Sequence, residues 1–186
     1  MMILREWFQG SKQVLPRSSE NKIGVLFVCM ANFCRSPMAK GLFQQLVAHH
    51  HLSHAIFVDA AGTHGHFAGE RPDPRARTCC RRRGIDIDRY RARQIQPIDF
   101  INFDYLIAMD HSNLAMLKKL TPEGQARKIR LLLELAPHLR RQDVPDPYYG
   151  PPSEFEASLD LIEEAAHSLL NEIRQRHLSS LAPSSG

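Results

Sequence analysis

The sequence predicts an α/β fold, a doubly wound sheet of about four parallel strands with helices on both faces. Four short apolar runs are continuous rather than alternating, which is typical of strands covered on both faces. Segments with helical spacing of apolar residues separate these runs, and this alternation favours parallel strands. The chain has 186 residues, 43% of them hydrophobic, which is enough for one domain with a substantial core.

Eight elements follow from these patterns. Strands are predicted at residues 23–28, 55–59, 105–109 and 129–133, and helices at 36–49, 74–83, 111–120 and 153–177. The first helix tolerates Pro37 because it lies in the first turn. The second is expected to end before Gly84, and the third shortly before Pro122. The last begins with Ser153 followed by Glu156, the pattern of a capping box.

The chain divides into one domain and two short flanks. Residues 22–178 contain all the predicted elements, residues 1–21 form an arm that we expect to be disordered, and residues 179–186 form a flexible tail. Arg5 and Glu6 interrupt the first apolar run, so no secretory signal is predicted. No apolar run reaches the ~20 residues that span a membrane, so no membrane association is predicted.

The net charge of +4 is concentrated in one arginine-rich segment. Eight arginines occur from Arg75 to Arg93, against two acids, Asp86 and Asp88. Nucleic-acid surfaces interleave such charges with stacking aromatic residues, and this segment offers only Tyr90. The segment therefore predicts a solvated helix face rather than a nucleic-acid site.

The cysteines and histidines predict neither a disulfide framework nor a metal site. Adjacent Cys79 and Cys80 suit no ordinary disulfide framework, which favours a reducing, cytoplasmic compartment, and no CxxC pair suggests a zinc site. Several histidines cluster at the end of the first predicted helix, but consecutive side chains point in different directions and cannot share one metal ion. These histidines are His49, His50, His51 and His54.

The segment after the first predicted strand combines Cys29, Asn32, Arg35 and Ser36. Cys29 falls beyond the carboxyl end of that strand, where doubly wound sheets bind ligands. Five residues separate Cys29 from Arg35, and such a loop can direct backbone N–H groups at an oxyanion. Arg35 adds a fork for two phosphate oxygens, and Asn32 tolerates a left-handed backbone. The positive electrostatic potential of these N–H groups and of Arg35 also favours a thiolate at Cys29. Ser36 can donate a hydrogen bond to that thiolate.

A candidate proton donor lies far downstream, in the segment DVPDPYYG at residues 143–150. Two prolines flank Asp146 and stiffen its loop, while Tyr148 and Tyr149 can form the wall of a pocket for an aromatic ring. A phosphate monoester needs its leaving oxygen protonated. Together with Cys29 and Arg35, this pattern therefore favours an acid role for Asp146.

These two motifs, in this order, resemble those of the low-molecular-weight protein tyrosine phosphatases. The resemblance extends over residues 22–174 and includes FVC, NFCRSP, AGTHGHFAGERPDPRA, RARQI, FDYLIAMDHSNL and DPYYG. It implies a flavodoxin-like fold and a phosphotyrosine phosphatase that uses no metal or other cofactor. The implied partners are phosphotyrosine-containing proteins, with a tyrosine kinase as one candidate, and the sequence makes no prediction of oligomeric state.

The resemblance also implies a role for each site residue. Cys29 would be the nucleophile, Arg35 the phosphate clamp, and Asp146 the general acid and then base around a cysteinyl-phosphate. Ser36 would stabilise the thiolate and Asn32 would shape the loop. The remaining residues would line the substrate cleft or its rim: Phe33, His66, Phe67, Tyr148 and Tyr149.

Other positions match or depart from the family pattern. Cys34 matches a position from which a disulfide can form with the nucleophile, and we hypothesise that it traps oxidised Cys29 reversibly. Asp110 matches a position near the family's site, with no role assigned. In the family, Asn, Ser and His form a network that holds the loop, and two of its apparent members are replaced in this chain. The departures are Ala31 for Gly, Ala60 for Ser and Arg83 for His.

Three alternative functions stay open. A protein-arginine phosphatase would carry a small Thr at the position of Phe33, whereas Phe33 and the paired tyrosines favour a phenyl ring. An arsenate reductase needs two further cysteines spaced along a mobile helix, whereas Cys79 and Cys80 are adjacent. The third alternative is a phosphate-binding module with weak catalysis, which turnover of para-nitrophenyl phosphate would distinguish from an enzyme.

Overall fold

A computed structural model describes residues 22–178 and shows one sheet of four parallel strands. The strands are β1 (Ile23–Cys29), β2 (Ile56–Gly62), β3 (Tyr105–Ala108) and β4 (Ile129–Leu131), in the spatial order β2-β1-β3-β4. The predicted doubly wound, parallel sheet is confirmed. The predicted arm (1–21) and tail (179–186) lie outside the described residues.

Five α-helices occur among the described residues. They are α1 (Arg35–His49), α2 (Pro74–Arg82), α3 (Asp99–Asn102), α4 (His111–Leu120) and α5 (Pro152–His177). The four predicted helices are confirmed, whereas α3 has no predicted counterpart because four residues are too few to show helical periodicity. No helix between residues 22 and 178 is long and apolar enough to cross a membrane.

Alternate side chains of β1 enter two different cores. Val25 and Phe27 pack in the larger core, to which α1 and α5 contribute, while Leu26 and Val28 pack in a smaller core with residues of α3 and α4. Burial of one large apolar side chain contributes about 1.5–3 kcal/mol to folding. Both faces of the strand therefore hold helices in place, as its continuous apolar run predicts.

β2 extends three residues beyond its predicted end. Ala60, Ala61 and Gly62 continue the strand and pair with the end of β1, where Gly62 lies opposite Cys29. Small residues have low strand propensity, so the sequence pattern ends at Asp59. Pairing with β1 overrides that propensity and places β2 directly beside the candidate nucleophile.

The predicted capping box at the start of α5 is wrong. The helix begins at Pro152, with Pro151 at the N-cap position and no side-chain cap. Proline has a fixed φ that suits the first helical turn, so these prolines set the helix start before Ser153. Glu156 instead forms ion pairs with the guanidinium groups of two arginines at the end of α2.

The crevice of the fold lies between β1 and β3. β2 is on one side of β1, and β3 and β4 are on the other, so the direction of winding changes at this point. In doubly wound sheets the carboxyl ends of the strands form a ligand crevice at such a switch point. Cys29 ends β1, and Asp110 follows β3 and caps α4, so both residues lie at this crevice.

Candidate active site

The cysteine loop (residues 29–36) connects β1 to α1. Cys29 is the last residue of β1 and Arg35 is the first residue of α1. Asn32 has a φ of 54°, the left-handed conformation expected for its residue type. Within the described chain, the backbone N–H groups of residues 30–34 donate no hydrogen bond to a protein acceptor. These groups and the N-terminus of α1 are therefore available to an oxyanion.

A chain of hydrogen bonds holds the Ser36 hydroxyl against the sulfur of Cys29. The Cys29 Sγ lies 3.1 Å from Ser36 Oγ, which accepts a hydrogen bond of 2.8 Å from Asn32 Nδ2. Asn32 is fixed in turn because its Oδ1 accepts the backbone N–H of Arg93 at 3.0 Å. The Ser36 hydroxyl proton is left to point at the sulfur or at the Ala61 carbonyl oxygen, 3.3 Å away. A thiolate attracts it more strongly because a charged acceptor makes the stronger hydrogen bond.

The cysteine loop rests on β2 at Gly62, to which the sequence analysis assigns no role. A Cβ atom at Gly62 would lie 2.7 Å from the backbone carbon of Ala31 and 2.8 Å from the nitrogen of Asn32. Only glycine permits this approach of two backbones. The Thr63 N–H also donates to the Cys29 carbonyl oxygen at 2.9 Å. The one available signal was the position of Gly62 within the AGTHG motif.

The buried guanidinium of Arg35 lies among three acceptors. Its Nη1 donates to Asp110 Oδ2 at 2.5 Å and to the Val144 carbonyl oxygen at 3.0 Å, while Nη2 donates to Asp146 Oδ2 at 2.7 Å. Burial lowers the pKa of Arg35, but the negative charges of Cys29 and the two carboxylates outweigh burial and raise it. Asp110, for which the sequence predicted no role, therefore holds the Arg35 guanidinium in place.

The aspartate loop (residues 143–150) places Asp146 beside Arg35. The Val144 N–H donates to the Met109 carbonyl oxygen at 2.8 Å, which ties the loop to the end of β3. The Tyr148 N–H donates to Asp146 Oδ1 at 3.2 Å, which orients the carboxylate by a short-range turn. The side chain of Asp146 is 43% exposed, so it is accessible to a bound molecule.

A cleft of about 410 Å³ opens above Cys29 and Arg35. Phe33 and Phe67 stack with ring centroids 4.0 Å apart, and the ring of Tyr148 meets Phe33 edge-on at 6.3 Å. The structure brings all the predicted site residues together, either lining this cleft or directly beneath its floor. Those that line it are Cys29, Phe33, Cys34, Arg35, His66, Phe67, Asp146, Tyr148 and Tyr149, while Asn32 and Ser36 bond beneath it.

The other three cysteines are buried thiols. Burial, together with the charges of Asp73 and Cys29, raises the pKa of Cys34 far above neutrality. Burial likewise raises the pKa values of Cys79 and Cys80, both on α2, to about 12. A protonated thiol is a weaker nucleophile than a thiolate, so these three groups are poorer candidates than Cys29 for attack on a phosphate ester.

Arg83, which stands where the family pattern has a network His, makes its ion pairs away from the cysteine loop. Its guanidinium forms ion pairs on α5, with Glu156, Asp160 and Glu163. The backbone N–H of Arg93 supports Asn32 instead. Ala60 is buried and lines a small void together with Asn32, so this departure from the family pattern lies next to the loop.

The arginine-rich segment is largely paired with acidic residues. Arg81 pairs with Asp88, and Arg93 bridges Asp59 and Asp99, in addition to the bonds of Arg83 to α5. The exposed Arg81 and Arg82 on α2 match the predicted solvated helix face, whereas Arg93 is only 30% exposed and lies outside any helix. Among residues 22–178 no group of three or more His, Cys, Asp or Glu side chains is arranged to hold a metal ion.

Comparison with known proteins gives the family. Residues 24–179 match the model of the low molecular weight phosphotyrosine protein phosphatases. A low molecular weight protein-tyrosine-phosphatase from Streptomyces coelicolor is 40% identical over 155 residues, which cover 82% of this chain and 94% of the relative.

Two solved structures resemble this fold closely. The structure of YfkJ from Bacillus subtilis has a TM-score of 0.81 at 37% identity and covers 86% of this chain and 99% of YfkJ. A Drosophila arginine phosphatase has a TM-score of 0.75 at 33% identity, with coverage of 81% and 97%. The predicted fold class and the predicted enzyme class, a phosphoric monoester hydrolase, are confirmed by these matches. The chain belongs to the low-molecular-weight phosphotyrosine protein phosphatase family.

Proposed function

We propose that this protein hydrolyses phosphotyrosine in protein substrates through a cysteinyl-phosphate intermediate. One observation supports this above all: the Cys29 sulfur, the Ser36 hydroxyl and the Arg35 guanidinium converge at the floor of an aromatic cleft. Asp146 lies at the same cleft, within hydrogen-bond reach of Arg35. A nucleophile, an oxyanion site and a proton donor thus surround one space.

The first step transfers the phosphoryl group to sulfur. The Cys29 thiolate attacks phosphorus in line, and the S–P bond forms as the bond to the tyrosine oxygen breaks. Asp146 gives its proton to that oxygen, so neutral tyrosine leaves. The phosphoryl oxygens bind the free N–H groups of the cysteine loop and the fork of Arg35, and the phosphate displaces the Arg35 bond to Asp146.

The second step hydrolyses the intermediate. The Asp146 carboxylate takes a proton from water, and the water oxygen bonds to phosphorus as the S–P bond breaks. Phosphate leaves and Cys29 returns as a thiolate, which the Ser36 hydroxyl stabilises at 3.1 Å. The step needs no redox partner because phosphorus keeps its oxidation state.

The aromatic walls support tyrosine as the substrate side chain. Phe33 and Phe67 form one stacked surface, and Tyr148 presents a second ring 6.1 Å from Phe67. Flat apolar walls favour a phenyl ring through burial and edge-to-face contacts. Tyr149 is 97% exposed and can contact the surrounding protein substrate, for which a tyrosine kinase is a candidate.

Cys34 is proposed to protect the nucleophile from overoxidation. Peroxide would convert the Cys29 thiolate to a sulfenic acid, and the Cys34 thiol would then form a disulfide with release of water. Four free cysteines support a reducing, cytoplasmic setting in which a thiol reductant reverses the bond. Cys34→Ser should recover less activity than wild type after peroxide and reductant, and equal recovery would exclude this role.

Phosphoarginine is the second candidate substrate, and the similarity to the Drosophila arginine phosphatase supports it. Its guanidinium is a flat group that also fits between aromatic surfaces. The wide aromatic wall formed by Phe33 and Phe67 favours the larger, apolar phenyl ring. Relative turnover of the two phosphorylated peptides decides between them.

The test is a metal-free phosphatase assay on peptides with phosphotyrosine, phosphoserine or phosphoarginine. We expect phosphotyrosine turnover that vanadate inhibits and EDTA leaves intact. Cys29→Ser should lose at least ~10⁴-fold and Asp146→Ala ~10²-fold or more. Cys79→Ser is the matched control because its thiol is buried on α2. Preferred phosphoserine turnover, or loss with EDTA, would contradict the proposal, and phosphate binding without turnover would indicate a binding module.

A further inference from the structure

We propose that Arg75, held by Asp73, is a positioning residue that fixes the aspartate loop relative to the cysteine loop. This inference rests on the function proposed above, because it concerns how Asp146 is held in place for proton transfer. Asp73 and Arg75 lie at the start of α2, where Asp73 caps the helix by accepting the N–H of Arg75. Neither residue lines the cleft toward the cysteine sulfur as a reacting group.

Arg75 holds the aspartate loop by two backbone carbonyl groups. Its Nη2 donates to the Tyr148 carbonyl oxygen at 2.9 Å, and its Nη1 donates to the Gly150 carbonyl oxygen at 3.0 Å. The N–H of the same Tyr148 donates to Asp146 Oδ1. Arg75 therefore fixes the residue that orients the proton donor, without contacting Asp146 itself.

Asp73 connects this arginine to the cysteine loop. Its carboxylate accepts from Arg75 Nε at 3.0 Å and from Nη2 at 2.7 Å, and its backbone N–H donates to the Phe33 carbonyl oxygen at 2.9 Å. Asp73 is 3% exposed, which limits the access of water to its carboxylate, while the Arg75 side chain is 34% exposed. Burial raises the pKa of Asp73, but the hydrogen bonds from Arg75 outweigh burial and lower it, which keeps the carboxylate charged.

The surroundings of Arg75 restrict its movement. Its guanidinium carbon lies 4.6 Å from the ring centroid of Phe155, a buried residue of α5. The planar fork thus stacks on an aromatic ring while its edges bond to Asp73 and to the two carbonyl groups. A lysine offers a single charged centre and cannot reproduce this set of directions. The two loops are therefore joined through Asp73 and Arg75 at the start of α2.

Proton donation is needed most for substrates with poor leaving groups, and this supplies the test. Displacement of Asp146 by a fraction of an ångström should slow cleavage of phosphotyrosine, whose phenol has a pKa of about 10. A dinitrophenyl phosphate releases a much more acidic phenol and needs little protonation. We expect Arg75→Gln to lower kcat/KM about 10-fold or more for phosphotyrosine and less than about 3-fold for 2,4-dinitrophenyl phosphate.

Three further variants complete the experiment. Combined with Asp146→Asn, Arg75→Gln should change kcat/KM less than about 2-fold, because the group that it positions is already absent. Arg81→Gln is the matched control on α2, where Arg81 pairs with Asp88 at the surface. Arg75→Lys keeps the charge and should restore only part of the phosphotyrosine activity; it also serves as the test variant if Arg75→Gln fails to fold.

The outcomes separate this inference from the proposed function. Equal losses on both substrates, or an Arg75→Gln effect that is undiminished in the Asp146→Asn enzyme, would overturn the positioning role alone. Full activity of Arg75→Lys on phosphotyrosine would also overturn it. If Asp146→Asn keeps the wild-type kcat/KM for every leaving group, Asp146 is not the proton donor, and this inference is overturned with it.

Discussion

The two loops of the candidate active site are held by different means. In the cysteine loop, Cys29 and Arg35 are each 3% exposed and belong to the ends of a strand and a helix. In the aspartate loop, Asp146 is 43% exposed, and residues 143–150 contain neither helix nor strand. Distant side chains hold that loop, chiefly Arg35 and Arg75.

This difference divides the proposed chemistry into a fixed part and an adjustable part. The cysteine loop follows from local chain geometry, so its oxyanion site exists before any substrate binds. The aspartate loop depends on a few polar contacts, and its position can change without unfolding the domain. Damage to the first loop should slow every substrate alike, whereas damage to the second should slow substrates according to their leaving group.

Arg35→Lys should give the largest effect because Arg35 belongs to the cysteine loop and also bonds to the aspartate loop. A lysine cannot bind two phosphoryl oxygens and still reach Asp110 and Val144. We expect kcat/KM to fall about 10³-fold for phosphotyrosine and for dinitrophenyl phosphate alike. Arg130→Lys is the control, since Arg130 binds both carboxylate oxygens of Glu172 away from the cleft. A loss smaller than 10-fold, or one confined to phosphotyrosine, would contradict the division between the loops.

The same division explains how much of the site the sequence could predict. Cys29, Asn32, Arg35 and Ser36 are close in sequence, so the strand, loop and helix pattern places them together without further information. Asp146 was found because its prolines and tyrosines are distinctive, but its position depends on contacts more than 70 residues apart, such as that of Arg75 with Tyr148.

The residues that support the loops left little local signal. Gly62 acts through the pairing of β2 with β1. The predicted strand ended at residue 59 because the residues that follow are small. Arg93 supports Asn32 with its backbone N–H, a role that its side chain does not indicate. Arg83 stands at the position that the resemblance matched to the family's His, and its guanidinium bonds to acidic residues of α5 instead.

Gly62→Ala should disturb the cysteine loop by a steric effect, without any change of charge. The added Cβ would lie within 3 Å of backbone atoms of Ala31 and Asn32, so the loop must shift. We expect kcat/KM to fall about 10-fold on both substrates and the free energy of unfolding to fall about 1–3 kcal/mol. Gly24→Ala is the control, because its Cβ would contact Phe103 at the opposite end of the sheet. It should lose stability and keep activity; equal kcat/KM losses in both variants would contradict this role for Gly62.

Asp59→Asn should weaken the support of the cysteine loop in a pH-dependent way. Burial raises the pKa of Asp59, but Arg93 and Lys40 outweigh burial and lower it below the unfolded value of about 3.9. The resulting stability is present above that unfolded value and is lost as the pH falls through the folded pKa. We expect the variant to be about 1–2 kcal/mol less stable at pH 7. Its stability should also fall less steeply below pH ~4 than that of wild type.

Denaturant titrations at several pH values measure this effect. Glu123→Gln, at an exposed position, is the control and should follow the wild-type curve. Parallel curves for wild type and Asp59→Asn throughout the acid range would show that Asp59 contributes nothing through its charge.

Ser158→Ala should give the smallest effect and test the aspartate loop at its weakest attachment. The buried Ser158 hydroxyl on α5 donates to the Pro145 carbonyl oxygen at 3.0 Å, one residue before Asp146. One neutral hydrogen bond contributes about 0.5–1.5 kcal/mol, and the bonds of Arg35 and Arg75 remain. We therefore expect kcat/KM to fall about 2- to 5-fold for phosphotyrosine and to stay unchanged for dinitrophenyl phosphate. Ser168→Ala, half-buried on the same helix, should match wild type on both substrates. A Ser158→Ala enzyme slowed equally on both would mean that the aspartate loop, like the cysteine loop, acts as part of one rigid site.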